Sequence, residues 1–214
     1  MRSDGNPYYV SPEGGATALE RVRLDVKNLR ESFLQRMLHD HPSLLPVKKL
    51  DEAFAPLVAV GREIRGIDNL FVSPKGRLAI VETKLWRNPQ ATREVLAQIL
   101  EYASHLAAFS YEELESACRA AKDSRMKSGE SLYEYAKNAF GEAEVPDESR
   151  FVDLVHKNLS TGRFLLLIVG DGIRQDLERI LDLLQQQTRL HFTFGLVELQ
   201  LYRKGEDSGW FIVP

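Results

Sequence analysis

Residues 65–88, RGIDNLFVSPKGRLAIVETKLWRN, restrict the fold of this chain more tightly than any other stretch. Two runs rich in aliphatic and β-branched residues, 67–72 and 77–85, flank Ser73-Pro74-Lys75-Gly76. In that linker proline presets φ and glycine is free to take a positive φ, so the segment reads as a β-hairpin centred near Lys75. This register pairs Val72 with Leu78, Leu70 with Ile80 and Asp68 with Glu82. Opposed side chains on one face have Cβ atoms about 4.5–5.5 Å apart, where two like charges repel. Because side chains alternate along a strand, Lys84 shares the face of Glu82. The apolar residues Leu78, Ile80 and Val81 imply a sheet covered on both sides, so the acids need a cation, a proton or open water. A salt bridge to Lys84 and a metal site both answer that need.

The remaining pattern places this hairpin in a larger sheet. Residues 1–15 are polar with glycine and proline and are expected to form a flexible N-terminal tail. Residues 19–39 read as one long helix or two, ended by Pro42 and Pro46. Within it, Leu34 and Leu38 lie three and seven positions after Glu31, which puts that acid on or beside the core-facing stripe. Strands are predicted at 55–63, 67–72 and 77–85. A helix then runs from Pro89 or Gln90 to Phe109, with Val95, Ile99, Tyr102 and Leu106 as its apolar stripe and Gln98 beside Tyr102. Residues 112–160 are helical and charged, broken at Ser128-Gly129 and Val145-Pro146-Asp147, and read as a helical insertion. A strand at 164–169, a helix at 175–187, one or two strands at 190–203 and an edge strand at 210–213 complete the chain. Gly170-Asp171-Gly172 is a strand-to-helix turn without nucleotide-binding spacing. Glu198 reads as a cross-sheet salt bridge or a further buried acid. The prediction is an α/β fold, one domain over 16–214, with a mixed β-sheet flanked by helices.

Composition removes several classes of function. A net charge of −3 argues against indiscriminate coating of nucleic acid, so any phosphate-binding surface must concentrate its cations locally. The single cysteine, Cys118, excludes an intramolecular disulfide framework and a cysteine-rich zinc site, and reads as packing. The five histidines are scattered without ligand spacing. No apolar run has the length of a membrane span and the first residues lack a signal-peptide core. A cytoplasmic protein without a membrane partner is expected.

Asp68, then Glu82-Thr83-Lys84 fourteen positions on, with Glu31 on a preceding helix and Gln98 on a following one, resemble the PD-(D/E)XK nuclease superfamily, the restriction-endonuclease-like fold. Over about residues 30–109 the chain is similar to predicted bacterial and archaeal nucleases of that superfamily. The ordered set carries the resemblance, since Asp25-Val26-Lys27 offers the same triplet without a partner carboxylate on an adjoining strand. The resemblance implies an α-β-β-β-α-β core. It also implies a Mg2+ ion, replaceable by Mn2+, held by Asp68, Glu82 and Glu31. Lys84 would orient water or stabilise charge on the phosphate, with Gln98 near the lysine or the substrate and Tyr102 beside it. Trp86, Arg87, Asn88 and Arg93 follow the catalytic strand and read either as phosphate and base contacts or as a solvated loop and helix start. The expected activity is phosphodiester hydrolysis, in DNA first with RNA open, by a homodimer where both strands are cut. The alternatives are a catalytically inactive nucleic-acid-binding or scaffold protein of the same fold, and a metal-dependent enzyme acting on a small nucleotide.

Overall fold

The computed structural model describes residues 6–22, 31–85, 91–187, 190–205 and 209–214. In chain order the elements are β1 (Tyr8–Val10), β2 (Ala16–Ala18), β3 (Glu20–Val22), α1 (Glu31–Asp40), the single turn α2 (Val47–Leu50), β4 (Val58–Ile64), β5 (Ile67–Val72) and β6 (Leu78–Lys84). Then follow α3 (Ala91–Ala107), α4 (Tyr111–Arg119), α5 (Leu132–Phe140), α6 (Glu148–Ser160), β7 (Phe164–Gly170), α7 (Gln175–Gln185), β8 (Thr193–Glu198), β9 (Gln200–Arg203) and β10 (Trp210–Val213).

The central sheet has five strands in the order β4-β5-β6-β7-β8. β4, β5 and β6 are antiparallel neighbours, whereas β6, β7 and β8 run parallel. Alternation sorts the apolar side chains onto two faces. Leu70, Val72, Leu78, Ile80, Leu166 and Ile168 pack with Val95 and Ile99 of α3 and with residues of α4 to α7. Phe71, Ala79, Val81, Leu165, Leu167 and Val169 pack with Leu34 and Leu38 of α1 and with Leu45, Val47 and Phe54. The protein is thus a mixed α/β structure with helices on both sides of the sheet. Every residue of β7 is buried, which accounts for its unbroken apolar run.

Helices α4 to α6, expected as an insertion, belong to the same core. Ser110 with Glu113 and Ser131 with Glu134 form capping boxes, and the Asp147 side chain caps α6. Their Leu114, Leu132 and Phe151 are fully buried in the cluster that contains β5 and β6. The connection between α4 and α5 also lies along β4: the Arg62 N–H donates to the Lys122 carbonyl and the Arg125 N–H to the Val60 carbonyl, each at 2.9 Å.

The N-terminal expectations require correction. Tyr8–Val10, within the segment read as a loose tail, pairs with Ala16–Ala18. Glu20–Val22, read as helix, pairs with β9, which also pairs with β10. Cross-strand pairing supplies partners for backbone groups that a local reading assigns to a helix. Of the helix expected over 19–39, only the part from Glu31 onward is helical among the described residues. No helix among the described residues is long and apolar enough to cross a membrane.

The hairpin turn carries a testable constraint. Gly76 has φ +65°, and a Cβ there would lie 2.5 Å from Val155 Cγ2 of α6. Gly76→Ala is expected to cost about 2–4 kcal/mol through backbone strain and overpacking. Urea unfolding checks the value, and adding Val155→Ala should relieve the steric part.

Candidate active site

The expected register is observed between Val72↔Leu78 and Asn69↔Val81, and there the β5–β6 ladder ends. β5 remains paired with β4 as far as Ile64↔Ile67, and β6 with β7 as far as Lys84↔Gly170. The strands part, and the Asp68 carboxylate occupies the gap. Its Oδ2 accepts hydrogen bonds from the Thr83 N–H at 2.8 Å and the Thr83 hydroxyl at 2.6 Å. A side-chain oxygen thus takes the part of a strand carbonyl, and the rung expected between Asp68 and Glu82 does not form. Glu82 keeps the face of Leu78 and Ile80, toward α3.

Both helical layers reach this opening. From α1, Glu31 Oε1 accepts from the Leu85 N–H at 3.1 Å and lies 3.9 Å from Lys84 Nζ. One turn on, Gln35 Nε2 donates to Asp68 Oδ1 at 2.7 Å. Gln35 Oε1 in turn accepts from Arg62 Nη2 at 3.1 Å, and its backbone carbonyl accepts from Asn69 Nδ2 at 3.0 Å. The buried Arg62 reaches exposed Asp123 through Nη1 at 2.9 Å. A polar chain therefore runs from the surface at Asp123 through Arg62 and Gln35 to Asp68. From α3, Gln98 Nε2 donates to the Tyr102 hydroxyl at 2.7 Å, so this amide nitrogen is directed at its helical neighbour. The Tyr102 ring lies against Gly66, where a Cβ would stand 3.2 Å from Cε1. Arg93 is exposed in the first turn of α3. Trp86, Arg87 and Asn88 lie outside the described residues.

The electrostatics single out Glu82. The residue is 3% exposed, and its buried Oε2 has no hydrogen-bond partner among the described residues. Burial first, and the neighbouring Asp68 charge second, push its carboxyl up to about 8, against the opposing pull of Lys84. Asp68 is raised as well, because burial outweighs its bonds from Thr83 and Gln35. The Tyr102 phenol is raised by burial, with Glu82 and Asp68 adding to the effect, which places it in the same field. A buried carboxylate oxygen without a donor, next to a second carboxylate, calls for a proton or a cation.

Among the described residues no three His, Cys, Asp or Glu side chains gather closely enough to hold an ion. Asp68 and Glu82 are a neighbouring pair of carboxylates, the charge of the first raising the second; both Asp68 oxygens already accept hydrogen bonds, and Glu31 is engaged by Leu85 and Lys84. Such a pair fits Mg2+, which commonly takes one or two carboxylates and fills its other positions with water and phosphate. Elsewhere, Glu198 accepts from Arg21 at 2.9 Å, as a salt bridge. Cys118 is fully buried, with its thiol pushed up to about 12 by burial, and serves packing.

Sequence reasoning overlooked Gln35, Arg62 and Thr83. Gln35 stands four residues after Glu31 and so shares its helix face, a signal that was available but is hidden by counting only apolar residues. Gln35→Leu removes a donor from Asp68 and an acceptor from buried Arg62. It is expected to cost about 1–3 kcal/mol in urea unfolding and to raise the Asp68 carboxyl further, which carbon-13 NMR of the carboxyl would read.

Comparison of the chain with models of known families, with curated proteins and with solved structures gives no match in any of the three.

Proposed function

We propose that the protein is a metal-dependent nuclease of the restriction-endonuclease-like kind that hydrolyses phosphodiester bonds, with DNA as its substrate. The observation that carries this reading is the unpartnered, buried Glu82 Oε2 beside Asp68 at the parting of β5 and β6. The order helix, strand, strand, strand, helix and later strand, from α1 through β4, β5, β6 and α3 to β7, agrees with the core implied by the resemblance. A bound Mg2+ or Mn2+ would polarise the scissile phosphate and lower the pKa of a coordinated water. Asp68 and Glu82 would hold it in the gap. Thr83 and Gln35 orient Asp68 and favour its ionised form. Lys84, with 21% of its side chain exposed and its ammonium 3.9 Å from Glu31 Oε1, would meet a phosphate oxygen. Glu31 steadies Lys84 and the end of β6.

The test is hydrolysis of single- and double-stranded DNA with Mg2+ or Mn2+, comparing the parent with Asp68→Ala, Glu82→Ala and Lys84→Ala. Equal activity in all four would overturn the assignment. The bonds from Thr83 to Asp68 and from Leu85 to Glu31 are also compatible with a purely structural use of these acids, as in a non-catalytic binding module. That reading predicts no gain in thermal stability with either metal.

A further inference from the structure

A second charged site lies at the opposite end of the hairpin. Ser73–Arg77 turns about five residues from Asp68, or about 17 Å along β5, so it is separate from the carboxylates. Here Lys75, Arg77, Lys157, Arg163 and His191, with Asn158, line a cavity of about 280 Å³ that has no acidic side chain in its wall. Among the described residues none of the two lysines and two arginines is ion-paired, in a chain whose net charge is −3. Burial and then the charge of Arg163 draw the Arg77 guanidinium below its ordinary value, so these cations stand close enough to repel. The acid in that field, Asp51, is occupied by the Ala53 N–H and the Thr193 hydroxyl.

Arg77 is also held in place. Arg77 Nη1 donates to the Ala53 carbonyl at 2.6 Å, and the guanidinium lies 5.6 Å from the centre of the Phe54 ring. The turn is fixed to α6 by Asn158 Nδ2, which donates to the Gly76 carbonyl at 3.1 Å. Like charges gathered around a cavity with no acidic side chain in its wall leave a positive potential there, only partly offset by Asp51, that an anion relieves. Arginine and lysine together suit phosphate oxygens, and the aliphatic stems of the wall suit a phosphate carried on an organic group.

We propose that this cavity between the hairpin turn and α6 is a phosphate-binding site, distinct from the carboxylate site and independent of the nuclease reading. The same chemistry could come from a small phosphate ester or from a nucleic-acid backbone, and titration separates them. Inorganic phosphate, adenosine 5′-monophosphate and a short duplex DNA would be titrated without divalent metal, so that no cleavage occurs. The parent is compared with the exposed pair Lys157→Ala/Arg163→Ala and with an exposed control of equal charge, Lys127→Ala/Arg179→Ala, neither residue of which lines the cavity. The expected result is binding that weakens about tenfold or more in the first variant and within about twofold in the control. Binding of the nucleotide identifies a small ester, and binding of DNA alone identifies the backbone. Absence of binding by all three ligands, or equal weakening in both variants, would overturn the proposal. If the first variant fails to fold, NMR of the parent decides: ligand-dependent shifts at Gly76 and Asn158 support the site, and their absence overturns it.

Discussion

Glu82→Gln is expected to lower metal-dependent phosphodiester cleavage by roughly 10³-fold, equivalent to about 4 kcal/mol in the barrier. The substitution keeps the shape of the side chain and removes one negative charge, so a packing defect does not account for the loss. It also places an amide where the unpartnered Oε2 now lies, in a gap already short of hydrogen-bond partners. A steady-state assay on DNA with Mg2+ checks the effect, with the exposed Glu52→Gln as a control that should leave cleavage unchanged. Cleavage at the parental rate by Glu82→Gln would remove the carboxylate from the mechanism.

The second large effect is on stability, and its sign follows from the same residue. In the folded protein the Glu82 carboxyl keeps its proton up to about 8, whereas in the unfolded chain it releases it near the ordinary 4.5. Between those values the folded state binds more protons, so stability falls as pH rises. Below the lower value the penalty is absent, and above the higher one it is complete. Each tenfold change in proton affinity is worth about 1.4 kcal/mol, which sets an upper bound of about 5 kcal/mol. Asp68, raised in the same direction, adds to the slope. Without metal, the melting temperature of the parent should drop by up to about 10–20 °C between about pH 5 and about pH 8.5. Mg2+ or Mn2+ at a hundred times its dissociation constant should restore about 2.7 kcal/mol at the alkaline end. Glu82→Gln should show a shallower dependence on pH and little response to metal. A flat profile in the parent would contradict the burial of an uncompensated acid.

The hairpin was legible because two periodic runs and a proline-glycine turn fix its register locally, down to Leu70↔Ile80. The parting of the strands at Asp68 was not, since it depends on β4 and β7 competing for the partners of β5 and β6. Helical spacing puts Glu31, Gln98 and Tyr102 on their helix faces, and only the resemblance puts them near the opening. Their actual bonds, to Leu85 and between Gln98 and Tyr102, depend on how α1 and α3 dock. Gln35 escaped notice because a polar residue on a core stripe declares itself only once its partners Asp68 and Arg62 are in view. Helical propensity over 19–22 misled because β9, some 180 residues later, supplies the pairing.

The backbone bonds that Val60 and Arg62 make with the α4–α5 connection have a consequence for assembly. They occupy outward-facing peptide groups of β4, the outermost strand on that flank, so another chain finds no free run of donors and acceptors to zip onto. If the proposed nuclease works as a symmetric dimer, its subunits would associate through surfaces other than this edge of the central sheet. The two proposed centres would then not be joined by a ribbon of strands running on from β4.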